Sequence, residues 1–193
     1  MVRPIKNKDG HNKILATARK ILTRQGVAEV TARNVAKTSG YGLGSIYSYF
    51  ENFDDLILQI NSQTLAELHE ELSRLNNELP NNNSKLIKIC HGFFDFAHKN
   101  KELWASVTNY QRSGKEKSAA AYQDQVDNLT HLVEEIIQPF LKTGQKKAEM
   151  ALLLWSGLQG IWYITMRPNA GFKTLNPEQA KKMVEILVKN LFK

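Results

Sequence analysis

The sequence predicts an all-α fold of about nine helices, and three observations carry that reading. Apolar residues recur at the i, i+4, i+7 spacing of amphipathic helices along most of the chain. No segment alternates apolar and polar residues over a useful strand length, and the breaks between periodic stretches fall at glycine, asparagine and proline. With 193 residues, 42% of them hydrophobic, the chain can build one sizeable helical domain or two small ones that share a core.

Each element follows from local pattern. Ile14, Leu15, Ala18, Ile21 and Leu22 place a helix over Gly10 to Gln25, with Gly26 as its stop. Thr31 is a good N-cap for a short helix that turns Val35 and Ala36 inward and ends at Ser39-Gly40. A second short helix covers about residues 42–48. Asn52 opens a long one, with Asp54 and Asp55 favourable in its first turn and Leu56 to Leu72 continuing the stripe to about Leu75. The stretch Asn76 to Ser84, with Pro80 and three consecutive asparagines, reads as a linker. Helices follow over about 84–99 and 101–109, then a polar loop from Gln111 to Lys117, then a helix over 119–138 that Pro139 must end or kink. Residues 145–167 form an apolar helix closed by Pro168. Asn176-Pro177-Glu178-Gln179 opens the last one with a capping box and a proline at its first position.

Charge narrows the function classes. Net charge is +7, and the first 50 residues hold nine basic side chains against Asp9 and Glu29, so the whole surplus lies there and the remainder is neutral. A surplus confined to one quarter of the chain marks a polyanion-binding surface, and without a lipidation motif nucleic acid is the expected partner rather than membrane. The longest uncharged stretch, Met150 to Met166, is too short for a bilayer span and carries Ser156, Gln159 and two glycines. One cysteine, Cys90, forms no internal disulfide, and no leader pattern stands at the start, so a cytoplasmic location is expected. No nucleophile has a plausible base, and the five histidines form no metal-ligand pattern, so neither an enzyme nor a metal site or cofactor is expected.

The two short helices joined by Ser39-Gly40-Tyr41 have helix-turn-helix spacing, in which a tight turn lays the second helix in a DNA major groove. The run from Thr31 to Phe50, with Gly26, Val35, Ala36, Gly40, Gly44, Ser45, Ile46, Tyr47, Tyr49 and Leu56 at matching positions, resembles the DNA-binding segment of TetR/AcrR-type transcriptional regulators. The resemblance is close over about residues 10–60. Further on it rests on helix pattern and a Trp155 to Gly160 stretch. It implies a DNA-binding domain over residues 1–51, including a basic N-terminal arm, and a ligand-binding and dimerisation domain over 52–193.

Carried over position by position, the resemblance puts the Thr31 hydroxyl and backbone N–H on a phosphate and Arg33 toward DNA. It puts Tyr41, Gly42, Leu43 and Ser45 at or near base edges and the phenols of Tyr47 and Tyr49 on phosphates. Ile46 and Phe50, four apart, form the core face of that helix. Three positions depart from the family pattern: Gly42 and Leu43, where polar residues are usual, and Phe53, where a phosphate-binding lysine is usual. Gly42 and Gly44 each cost roughly 1 kcal/mol of helix propensity.

The expected function is therefore a ligand-responsive transcriptional regulator, a homodimeric repressor released from a palindromic operator by a small apolar or amphipathic effector. The alternative is a helical adaptor of the same fold that binds a protein partner and reads DNA weakly. The effector is expected among Phe93, Phe94, Trp104, Tyr122, Trp155 and Trp162, since so many aromatics in a helical domain can enclose an apolar pocket. The last two helices, apolar around much of their circumference, are the expected dimer interface, to be broken by charge at Leu158 or Leu187.

Overall fold

The computed structural model describes residues 8–80, 84–109, 118–166 and 175–192. The described residues form nine α-helices: α1 (Lys8–Gln25), α2 (Ala32–Ser39), α3 (Leu43–Tyr49), α4 (Phe53–Glu78), α5 (Lys85–Lys99), α6 (Lys101–Asn109), α7 (Ala119–Ile137), α8 (Lys147–Met166) and α9 (Pro177–Phe192). Two short 3-10 turns, Val27–Glu29 and Gln138–Phe140, join them, and the described residues contain no strand.

The caps fall where the side chains demand them. Thr31 accepts a hydrogen bond from the Asn34 N–H at 3.2 Å. At α9, Asn176 Oδ1 accepts from the Gln179 N–H at 2.8 Å and Gln179 Oε1 accepts from the Asn176 N–H at 3.1 Å, a complete capping box. Pro139 ends α7 by sitting in the 3-10 turn. One boundary differs from expectation: α4 runs through Asn76 and Asn77 to Glu78, because Arg74 pairs with both Glu71 and Glu78 and holds the last two turns in register. The connection therefore starts at Leu79. The expected loop from Gln111 to Lys117 lies outside the described residues.

Packing divides the chain into two compact units, neither of them a continuous stretch. The first comprises residues up to Glu67 together with Asn100–Val126. Its core is built on α1 (Ile14, Leu15, Ala18, Ile21, Leu22), covered by Val35 and Ala36 of α2, Ile46 of α3, Phe50, the start of α4 and Leu103 of α6. Two buried polar groups close this unit. Ser106 donates to Asn61 Oδ1 at 2.9 Å while Asn61 Nδ2 donates to the Ser106 carbonyl at 3.4 Å, so both side chains are satisfied without water.

The second unit comprises Leu68–Lys99 and the described residues from Asp127 onward. Here α5, α8 and α9 pack on one another, with Ile89, Phe93 and Phe94 of α5, Leu154, Leu158 and Trp162 of α8, and Val184 and Val188 of α9 buried. Gly157 permits the α8 to α9 approach: a Cβ there would lie 2.5 Å from Leu187 Cδ2. Gly160, by contrast, faces open space. Helix α4, which begins just after the boundary expected between residues 51 and 52, belongs in part to each unit.

Candidate nucleic-acid interface

The turn between α2 and α3 sets the geometry of the basic unit. Gly40 has φ +78°, the left-handed conformation that L side chains resist, and both its N–H and that of Tyr41 donate to the Ala36 carbonyl at 3.1 Å. That closure ends α2 within one residue and leaves Gly42, with φ −69° in extended backbone, as the N-cap of α3. Gly42 thus lies before the helix interior and carries no helix-propensity penalty there. Only Gly44 does.

Helix α3 separates its two faces as its spacing requires. Ile46 is fully buried and Phe50, its C-cap, is nearly so, stacked on His11 at 4.6 Å between ring centroids. Leu43 and Tyr47, one turn apart, point outward and are 47% and 53% exposed. Ser45 is half-buried to one side. Arg33 and Lys37 of α2 are exposed, so the outward surface of the α2–α3 pair combines cations with an aromatic and an aliphatic side chain.

Other sequence-selected positions are held by the fold. The Thr31 backbone N–H already donates to the Glu29 carbonyl at 3.0 Å, so for phosphate Thr31 offers its hydroxyl hydrogen alone. Tyr41 and Tyr49 are half-buried on the core, ring edge to ring face at 6.0 Å, and Lys13 Nζ sits 5.5 Å from the Tyr41 ring centroid. Phe53 likewise lies on the core where the family pattern has a phosphate-binding lysine.

One of the N-terminal cations is paired within the fold. Arg19 of α1, one of the nine N-terminal cations, donates to Glu67 Oε2 at 2.6 Å, to Thr64 Oγ1 at 3.3 Å and to the Ile60 carbonyl at 3.5 Å, all on α4. Its charge is neutralised within the unit. Nothing local to residues 1–50 reveals this, since the counter-ion lies 48 positions away.

The aromatic residues selected for a ligand are shared between the two units. Trp104 is fully buried and Tyr122 half-buried in the first unit, whereas Phe93, Phe94, Trp155 and Trp162 belong to the second. Of these, Phe93 and Trp155 meet at 5.2 Å and line an apolar cavity of about 20 Å³ with Cys90, Ile136, Leu154 and Leu158. A space of that size admits about one water-sized sphere, so any larger occupant must displace side chains. Burial raises the Cys90 thiol to about 12. The described residues hold no group of three or more potential metal ligands, and no described helix is long and apolar enough to cross a membrane.

Residues 14–60 match the family model described as bacterial regulatory proteins, tetR family, and residues 86–191 match the tetracyclin repressor-like C-terminal domain. No curated protein matches the sequence. Solved structures of similar fold include a protein of unknown function from Rhodococcus sp. RHA1, at 16% identity, a TM-score of 0.73 and coverage of 100% of both chains. Two others are complexes. The transcriptional regulator FadR from Bacillus subtilis with stearoyl-CoA has 14% identity and a TM-score of 0.70, over 94% of this chain and 97% of that one. Thermus thermophilus FadR, a repressor bound to lauroyl-CoA, has 19% identity and a TM-score of 0.62, over 94% and 92%.

Proposed function

We propose, on the premise that this chain belongs to the tetR family of bacterial regulatory proteins, that it acts as a homodimeric repressor which an amphipathic effector releases from a palindromic operator. Family membership makes it a DNA-binding transcriptional regulator and not an enzyme. The observation that carries the operator reading is the Gly40 turn, which presents α3 beside the exposed cations of α2. Residues 1–51 supply the DNA surface. Thr31, Arg33 and Tyr47 contact phosphate or the groove edge, Gly42, Leu43 and Ser45 lie nearest the bases, and Tyr41 and Tyr49 support α3 from beneath. Leu43 meets a thymine methyl, which suits an apolar side chain.

Dimerisation draws on the outward faces of α8 and α9. Leu152, Leu153 and Tyr163 of α8 and Met183 and Ile186 of α9 are large, apolar and exposed in the single chain, and open Gly160 leaves room for a partner helix to approach. Two such faces bury one another as a four-helix bundle and place two reading helices about 34 Å apart, or a multiple of that. Leu158 is buried within its own chain and Leu187 packs on Gly157, so neither is the residue with which to break the dimer.

The effector occupies residues 52–193, by way of the apolar cavity beside Phe93 and Trp155. That two structural neighbours were solved with acyl-CoA supports a long-chain acyl compound. Action on DNA places the protein in the cytoplasm.

The exposed apolar pair Leu43 and Tyr47, with Phe53 in place of a cation, favours a second reading in which α3 docks on a protein. One experiment separates the two. Binding to a DNA fragment from the region upstream of the gene is measured against salt, with and without lauroyl-CoA. The repressor reading expects a steep salt dependence, about 0.9 in log-log slope per phosphate contact, and weaker binding with effector. Salt-insensitive or absent binding supports the adaptor.

A further inference from the structure

Lys13 of α1 is exposed, and its Nζ stands 5.5 Å from the centroid of the Tyr41 ring. None of the ion pairs among the described residues includes it, and Asp9, one helical turn earlier on α1, is in none of them either. Lys13 differs in this from Arg19 on the same helix, whose charge Glu67 takes up.

The ring beneath the ammonium decides where that charge is presented. Tyr41 is the residue before Gly42, the N-cap of α3, and it is half-buried on the core, packed ring edge to ring face with Tyr49. A ring held in this way draws a cation to its negative face and lowers the rotamer freedom lost when the lysine is fixed by a further contact. Gly42, Leu43 and Gly44, with which α3 begins, are all exposed.

A major groove is about 12 Å wide, so a helix lodged in it has a row of phosphates roughly 6 Å to either side of its axis. A cation held at the entry to α3 is at the level of such a row. Phe53, packed on the core, leaves the first turn of α4 without a cation of its own. We infer that Lys13, presented by Tyr41, contacts a backbone phosphate flanking the groove that α3 enters, so that the DNA surface takes in α1 as well as α2 and α3. The inference rests on the operator reading above and adds to it a contact that carries no sequence information.

Lys20 provides the comparison. It shares the face of Lys13 on α1, is exposed and is in no ion pair among the described residues, but it lies seven residues further along, about 10 Å of helix rise. That is about one Debye length at 0.1 M salt, so its charge acts only weakly on the phosphate that Lys13 touches.

The test uses the full-length protein, a duplex from the region upstream of the gene and an unrelated duplex of equal length. Affinities are measured against salt by fluorescence anisotropy for the parent, Lys13→Gln, Lys13→Arg and Lys20→Gln. Lys13→Gln should weaken binding to both duplexes by roughly threefold to tenfold and lower the log-log salt slope by about 0.9. Lys13→Arg keeps the charge and the ring contact, so its affinity should stay within about twofold of the parent with the same slope. Lys20→Gln should also stay within about twofold and keep the slope. Both positions are exposed, so every variant should retain the helical circular dichroism of the parent.

Parent-like binding by Lys13→Gln overturns the inference. An equal loss in Lys20→Gln does so too, because it shows a diffuse basic field in place of a contact, and a loss confined to the upstream duplex does so because it shows base reading. A parent that binds neither duplex, or binds without salt dependence, overturns the operator reading itself, an outcome distinct from the others.

Discussion

Asp55 and Ser118, 63 positions apart, are joined by two hydrogen bonds: the Ser118 N–H donates to Asp55 Oδ1 at 3.3 Å and the Ser118 hydroxyl donates to the same oxygen. Asp55 is 3% exposed, and its other oxygen accepts from the Glu51 N–H at 3.3 Å and Gln59 Nε2 at 3.2 Å. Its own N–H is capped by Asn52 Oδ1 at 2.7 Å. One carboxylate thus ties the segment after α3, the first turn of α4 and the approach to α7 together. Asp55→Ala should destabilise the protein by about 3 kcal/mol and Ser118→Ala by about 1 kcal/mol, since the alanine at 118 retains the backbone donor. Urea unfolding of both single variants and the double variant checks this; equal single effects would show that the carboxylate does not organise the cluster.

Arginines with equal charge should behave differently. Arg33→Ala should lower operator affinity and reduce the log-log salt slope by about 0.9 while leaving stability unchanged. Arg19→Ala should leave the slope as it is and cost about 1–2 kcal/mol of stability, because it loses the hydrogen bonds to Glu67 and Thr64. Tyr47→Phe should weaken binding to all DNA sequences by roughly threefold to tenfold. Parent-like binding by both Arg33→Ala and Tyr47→Phe would move the DNA surface elsewhere.

Charge on the outward face of α8 or α9 should give folded monomers. Leu153→Lys and Ile186→Lys, at exposed positions, should halve the mass by light scattering and keep the helical circular dichroism of the parent. Leu158→Lys buries an ammonium and should unfold the second unit instead. Dimers persisting in both exposed-site variants would place the interface on another face.

Cys90 should be inert in the folded protein. With its thiol raised from 9.0 to about 12 by burial, the thiolate fraction at pH 8 is on the order of 1 in 10,000, too little for a disulfide reagent. Ellman's reagent should report no thiol in native protein at pH 8 and one per chain in denaturant. Because the fold favours the neutral thiol, this stabilisation is complete below about pH 9 and is lost as pH rises toward 12.

What was legible in the sequence is what neighbours within a few positions determine. Thr31, the Asn176 and Gln179 box, the Gly40 stop and the opposed faces of Ile46 and Tyr47 are all set by contacts within one helical turn. Contacts across 40 or more positions left no periodic trace. Arg19 counted as a free cation because Glu67 lies on another helix, and Asp55 read as a first-turn helix charge because Ser118 lies far along the chain. Trp104 and Tyr122 joined the ligand candidates by residue type, and only the packing assigns them to the unit that carries the reading helix. Asparagine is common in turns and puts the expected start of the linker at Asn76, three residues before its observed start at Leu79, because the Arg74 pairs that extend α4 outweigh that tendency.

The first unit is assembled from two separated stretches, and Leu103 of α6 belongs to the same core as Ile14 and Ile46. Synthesis runs from the N-terminus, at about 5–20 residues per second. The reading helix therefore emerges several seconds before the residue that completes its core, and Asp55 waits longer still for Ser118. During that interval the nascent segment carries its cations and its uncovered apolar face together. A chain cut short after the family's N-terminal segment at residue 60 would lack the cover that Leu103 provides.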